Sequence, residues 1–163
     1  MKKHITIIIS IFLVVFLWNC EKDDICADGT VTTPQLVVEF YDATVTDSIV
    51  TVSSIGFREI TKDSIYRKSS VSQLLLPLKT NEDSVTFELT LYGDDDTVTT
   101  DDFSDTFTLN YNRQDIYISR ACGYKTNFTL TDAIVNSTNW ITNATIEQPN
   151  VTNENEVHIK IYF

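Results

Sequence analysis

The sequence is poor in histidine, with His4 and His158 the two among its 163 residues. His4 lies in an N-terminal segment that we expect to be cleaved off, which leaves His158. A single histidine cannot build a multi-histidine metal centre. Any serine–histidine–acid triad would also have to use it, but its alternation with Ile159 predicts a side chain that faces solvent. We therefore expect no enzymatic activity, no catalytic residue and no cofactor.

Basic residues are also scarce, with 12 Lys and Arg against 23 Asp and Glu and a formal net charge of −11. Nucleic acid and anionic lipid surfaces repel a chain this acidic, because both carry negative charge. The composition thus excludes nucleic acid as an expected partner. Hydrophobic residues make up 42% of the chain, which is typical of a globular protein and not of a disordered one.

A long apolar run lies at the N-terminus. Lys2, Lys3 and His4 precede it, and it extends over residues 5–18. The run is shorter than the roughly 20 residues that a helix needs to cross a bilayer. This length favours a secretory signal peptide over residues 1–19 rather than a permanent membrane span.

A cysteine follows directly after this run. The segment Leu17-Trp18-Asn19-Cys20 resembles the lipobox of bacterial lipoproteins, in which an aliphatic residue lies three places before a cysteine that becomes acylated. Leu17 and Cys20 match that pattern, whereas Trp18 and Asn19 stand where small residues are usual. The resemblance implies a palmitate-type anchor on Cys20 and a lipidated tether over residues 20–25. The alternative is an uncleaved anchor in which Cys20 is an ordinary thiol.

The three cysteines are an odd number for an exported chain. If Cys20 carries a lipid, Cys26 and Cys122 remain, and in an oxidising compartment they most simply form one disulfide. Closing so long a loop contributes at most on the order of 4 kcal/mol of stability. A nucleophilic role for either thiol would need a neighbouring base. We therefore expect a structural disulfide.

Apolar residues recur at every second position, and no stretch shows helical periodicity. The clearest case is the segment Val85–Leu91, where Thr86, Glu88 and Thr90 separate the apolar residues. The same alternation occurs at residues 36–40, 107–111, 116–118, 128–130 and 157–163. Short strands at near-regular spacing predict an all-β fold, an antiparallel immunoglobulin-like β-sandwich, with a jelly roll as the alternative. We expect it to form one domain over residues 26–163.

Two cysteine-centred motifs carry a family resemblance. They are Cys20-Glu21-Lys22-Asp23-Asp24-Ile25-Cys26 and Ser119-Arg120-Ala121-Cys122-Gly123-Tyr124-Lys125. Together they resemble an uncharacterised family of small Bacteroidota lipoproteins, a domain of unknown function that covers nearly the whole mature chain. The resemblance implies a lipid anchor and a β-rich extracytoplasmic domain, with no assigned activity and no catalytic residues.

The tether carries a second resemblance. Lys22, Asp23 and Asp24, directly after the cysteine, resemble the surface-export signal of some Bacteroidota lipoproteins. The resemblance implies a domain on the outer membrane that faces the cell exterior. The alternative is a charged tether that merely keeps the linker solvated, with the domain on the periplasmic face.

Clustered aspartates form a weak candidate for calcium binding. Asp94, Asp96 and Asp101, with Asp102 and Asp105 after them, supply the carboxylate oxygens that suit a hard cation. Their spacing does not match an EF-hand loop. A solvated hairpin tip that discourages edge-to-edge aggregation is the preferred interpretation, so we expect no metal.

Two hypotheses about function remain. The first is a non-enzymatic envelope or surface component that packs against another protein through a sheet face or an edge strand. The second is a small-ligand or glycan binder whose stacking platforms are Trp140, Tyr111, Tyr117 and Tyr124. Core packing is the alternative for these aromatic residues, and for Tyr111 we prefer it. Exposed aromatics in a groove would favour the ligand hypothesis, and a broad apolar patch would favour a protein partner.

Overall fold

The structure is a computed structural model, and it describes residues 25–45, 47–91 and 102–163. Within these ranges the chain forms strands and no helix. The strands are β1 Leu36–Tyr41, β2 Val52–Glu59, β3 Tyr66–Val71, β4 Gln73–Leu76, β5 Ser84–Leu91, β6 Phe103–Ser119, β7 Gly123–Val135, β8 Asn143–Ile146, β9 Asn150–Val151 and β10 Ile159–Tyr162. A membrane-crossing helix is likewise absent from this described part of the chain.

The chain divides into two compact units. The smaller unit comprises residues 1–31 and 117–124, of which 25–31 and 117–124 are described. The larger unit comprises residues 32–116 and 125–163. It contains the core between the two sheets. The expectation of one domain over 26–163 stays a prediction.

The larger unit is a β-sandwich. One sheet has four strands in the order β4-β1-β10-β8, and the other has six in the order β3-β2-β5-β6-β7-β9. Most neighbours run antiparallel, which confirms the predicted fold class. The pairing of β1 with β10, in which Val38 lies opposite Ile159, is parallel. Sequence periodicity gave no sign of this parallel pair.

The core lies between the inner faces of the two sheets. In β5, the side chains of Val85, Phe87 and Leu89 are buried, and those between them are partly exposed, as the alternation predicts. The opposite sheet contributes inward-facing residues from its central strands: Leu36, Val38, Phe40, Ile159 and Ile161. Burial of these apolar side chains is the main favourable term that holds the sheets together.

Strand β1 is buried on both faces. Its outward-facing carboxylate, on Glu39, accepts hydrogen bonds from the Tyr41 hydroxyl at 2.6 Å and from Gln73 Nε2 at 2.7 Å. The bond to Glu39, together with burial, raises the pKa of Tyr41 to about 12. Lys160 Nζ lies 4.9 Å from the centre of the Tyr41 ring. These polar groups are therefore partnered within the fold, which favours a structural role for them.

Two phenylalanines of β6 provide a matched test of this core. Phe107 is fully buried between the sheets, whereas Phe103 is exposed. Replacing Phe107 with alanine leaves a cavity and lowers the free energy of unfolding by about 3–5 kcal/mol. Replacing Phe103 with alanine costs less than about 1 kcal/mol, because little apolar surface returns to water. Urea denaturation of both variants measures the difference, and similar losses would contradict the placement of the core.

Candidate functional site

The smaller unit is closed by a disulfide between Cys26 and Cys122, whose Cα atoms are 4.8 Å apart. This bond confirms the predicted pairing. The amide of Cys122 also donates to Ser119 Oγ at 3.0 Å. The next residue, Gly123, has a φ of 70°, a left-handed conformation that other residues adopt at a cost, and it completes the turn from β6 to β7. The turn is therefore fixed both covalently and by hydrogen bonding.

Two tyrosines of the same unit form an exposed aromatic pair. Tyr117 and Tyr124 are 58% and 69% exposed, and their ring centres lie 5.3 Å apart in an edge-to-face arrangement. A shallow pocket with a volume of 570 Å³ lies beside Tyr117 and is also lined by Ile25 and Thr30. Exposed tyrosines are typical of protein interfaces, because they bury a large area at a small entropic cost. This pair is the exposed part of the predicted aromatic set.

The other two aromatic residues of that set lie in the core. Tyr111 packs edge-to-face on Phe128, and its hydroxyl bonds to both the amide and the carbonyl of Lys79. Trp140 packs on Phe163 and donates from Nε1 to the carbonyl oxygen of Leu89 at 3.2 Å. The preferred interpretation of Tyr111 as a core residue is therefore confirmed. Trp140 is also a core residue, so the hypothesis that it is a stacking platform is wrong.

The carboxylate of Asp105 is a structural anchor of the sandwich. It is fully buried in β6 and accepts from the amides of Trp140 and Ile141, both at 2.7 Å, and from that of Asn139 at 2.8 Å. Burial by itself would raise the pKa of Asp105, but these hydrogen bonds and one from Ser137 outweigh it, so the pKa is lowered. Asp105 therefore holds the connection between β7 and β8 and is no part of a calcium site.

The remaining weak calcium candidates, Asp94, Asp96 and Asp101, lie outside the described residues, as do Cys20 and the export signal Lys22, Asp23 and Asp24. Within the described ranges no group of three or more acidic, histidine or cysteine side chains is placed to hold a metal ion.

The expectation that His158 faces solvent is wrong. The side chain is fully buried, and Nδ1 accepts a hydrogen bond from the amide of Val37 at 3.0 Å. The amide of His158 in turn donates to the carbonyl of Val37. Since Nδ1 is the acceptor, the neutral ring carries its proton on Nε2, which has no partner among the described residues. His158 precedes β10 directly and turns inward because this pair of bonds ties it to β1.

This burial makes the stability of the sandwich depend on pH. Desolvation lowers the pKa of His158, against the opposing effect of Glu156 and Glu154. Below the ordinary value of about 6.5, the unfolded chain binds a proton that the folded chain does not. We expect the free energy of unfolding to fall between pH 7 and pH 5, by no more than about 1.4 kcal/mol per pH unit.

The matched variant is His158→Gln, which does not titrate and keeps an oxygen that can accept from Val37. Chemical denaturation at a series of pH values should give a flat profile for this variant between pH 7 and pH 5. Lowered carboxylate pKa values, such as that of Asp105, affect stability only at more acidic pH. Equal slopes in the two proteins would show that His158 is not the group responsible.

A cleft that no sequence pattern predicts lies between β3 and β4. Its volume is 480 Å³, and its walls include Phe57, Tyr66 and Lys68 on one side and Leu74 and Leu75 on the other. No local pattern marks these residues, since they meet only because the chain crosses from one sheet to the other at Ser72.

Most of this chain matches a known protein family. A family profile matches residues 46–163. The chain belongs to the family of unknown function DUF6452. The matched range includes β2 to β10 and Cys122, whereas β1 and Cys26 precede it. No curated protein and no solved structure matches the chain.

Proposed function

We propose that this chain is an exported lipoprotein of the outer membrane that contacts another envelope protein and catalyses no reaction. The observation that carries this proposal is the disulfide between Cys26 and Cys122. Structural disulfides persist in oxidising compartments, which supports export. The pairing leaves Cys20, at the lipobox-like segment, as the one cysteine outside it. The resemblance to small Bacteroidota lipoproteins supports the same conclusion.

Acylation can be measured directly. Cells that express the full chain are grown with an alkyne analogue of palmitate, and the label on the protein is quantified. We expect label on the wild type and none on Cys20→Ala, because the thiol that receives the lipid is gone. The matched control is Cys26→Ser/Cys122→Ser, which removes two cysteines and should keep its label. Label that persists in Cys20→Ala, or is absent from the wild type, would contradict lipidation at this residue.

A non-enzymatic role is supported by the state of the one histidine outside the signal peptide. A general base needs a nitrogen that can reach a substrate proton. In His158, Nδ1 is already bonded to the amide of Val37, and the ring is fully buried. His158 therefore has a structural role in the sandwich.

The contact surface that we propose is the aromatic pair Tyr117 and Tyr124. The disulfide fixes the turn beside it, so little conformational entropy is lost when a partner binds. Cys20 and Cys26 are six residues apart, which limits the distance between their Cα atoms to about 22 Å. A lipid on Cys20 thus keeps Cys26, and the turn bonded to it, near the membrane. A membrane-embedded envelope protein is the partner that this placement favours.

Crosslinking in intact cells tests this surface. We expect a reagent that does not cross membranes to join the tagged wild type to a stoichiometric partner, identified by mass spectrometry after detergent extraction. Tyr117→Ala/Tyr124→Ala should lose at least about 90% of it, because interface tyrosines carry much of the binding energy. Tyr66→Ala, which removes an equally exposed tyrosine from β3, is the control and should keep the partner.

Two other outcomes are informative. Capture only by a membrane-permeant reagent would place the contact on the periplasmic face and contradict export to the cell surface through Lys22, Asp23 and Asp24. Equal capture by the wild type and the double tyrosine variant would exclude the aromatic pair as the contact surface.

A further inference from the structure

The cleft between β3 and β4 results from a difference in width between the two sheets. The wider sheet has six strands and ends at β3, and the narrower one has four and ends at β4. Tyr66 and Lys68 of β3 lie directly opposite Phe57 and Ile55 of β2, so they share the core-facing side of the sheet. Phe57 and Ile55 are buried, but Tyr66 and Lys68 are exposed. The inner face of β3 is therefore left uncovered and forms a wall of the cleft.

One wall of the cleft is a flat aromatic platform. The rings of Tyr66 and Phe57 are stacked, with centres 5.4 Å apart and planes at 23°. Phe57 is 8% exposed and covers one face of the Tyr66 ring, whereas Tyr66 remains 62% exposed. A ring that is held from behind loses little freedom when a ligand stacks on its open face. Leu74, Leu75 and Pro77 complete an apolar surface around it.

The charge in the cleft is opposite to that of the chain. Lys68 is its cationic group, and no carboxylate is among the described residues that line it. Lys68 also forms no ion pair within the described part of the chain. In a chain with a net charge of −11, an ammonium group beside apolar surface is a local site for a negative group. Such a charge-assisted contact is stronger than a neutral hydrogen bond.

We propose that this cleft binds a small aromatic anion, whose ring stacks on Tyr66 and whose negative group pairs with Lys68. The volume of 480 Å³ is within the range of small-molecule sites, and apolar walls with a few polar groups are typical of them. The proposal is independent of the contact surface at Tyr117 and Tyr124, because it uses different residues.

Two isosteric probes separate the ring from the charge: naphthalene-2-sulfonate and the neutral naphthalene-2-sulfonamide. Binding is measured by equilibrium dialysis of the full chain, with the same detergent on both sides so that partition into micelles cancels. We expect the wild type to bind the sulfonate at least about tenfold more tightly than the sulfonamide, since only the anion pairs with Lys68.

Variants test which residues cause the preference for the sulfonate over the sulfonamide. Lys68→Gln should bring the affinity for the sulfonate down to that for the sulfonamide, and Lys68→Arg should restore the difference. Tyr66→Ala should weaken both probes by about fivefold or more, because the stacking platform is lost. Lys62→Gln, which removes an exposed lysine that does not line the cleft, and Tyr117→Ala/Tyr124→Ala should leave both affinities unchanged.

Three results would overturn the proposal. The first is no binding of either probe by the wild type, and the second is equal affinity for both. The third is a Lys68→Gln or Tyr66→Ala variant that binds like the Lys62→Gln control. All five substituted positions are exposed, so the variants should fold, and denaturation midpoints close to that of the wild type verify this.

Discussion

The pairing of β1 with β10 is the contact on which the four-stranded sheet depends. These two strands are its central pair, and they lie between the edge strands β4 and β8. Their pairing joins residues about 120 positions apart, and the bond from the amide of Val37 to Nδ1 of His158, directly before β10, reinforces it. Both faces of β1 are buried, so its side chains fill the core on one side and support the Glu39 and Tyr41 cluster on the other. Loss of this pairing would split the sheet into two separate pairs of strands, β4 with β1 and β10 with β8.

The unequal widths of the two sheets explain the position of the cleft between β3 and β4. A sheet of six strands cannot be covered fully by one of four, and the strand left uncovered here is β3. An inward-pointing charge is one device that protects such an edge from pairing with another chain, and Lys68 supplies one on β3. Binding sites of this kind arise from how two layers fit each other. They need no motif in the sequence.

The sequence predicts the features that depend on local pattern. Alternation in Val85–Leu91 identifies β5 and the side that it buries, and the cysteine count identifies the partner of Cys26. Prediction from local pattern fails where contacts with residues distant in the sequence determine the structure. His158 has the alternation of a solvent-facing residue, but a bond to Val37 in another strand draws it inward. Asp105 belongs to an acidic run, yet three amides of the connection after β7 surround it. Strand order and the cleft are equally non-local.

The parallel pairing of β1 with β10 also has a consequence for the timing of folding. A chain that emerges from its N-terminus, from a ribosome or through a membrane channel, presents β1 early and β10 more than a hundred residues later. Until β10 has emerged, β1 is an apolar strand without its central neighbour. Pairing of the two strands also requires closure of a loop of more than a hundred residues, which costs conformational entropy. During this interval, copies of an acidic chain repel one another because they carry charge of the same sign. The net charge of −11 therefore also protects the nascent strand from premature association, before the folded protein exists.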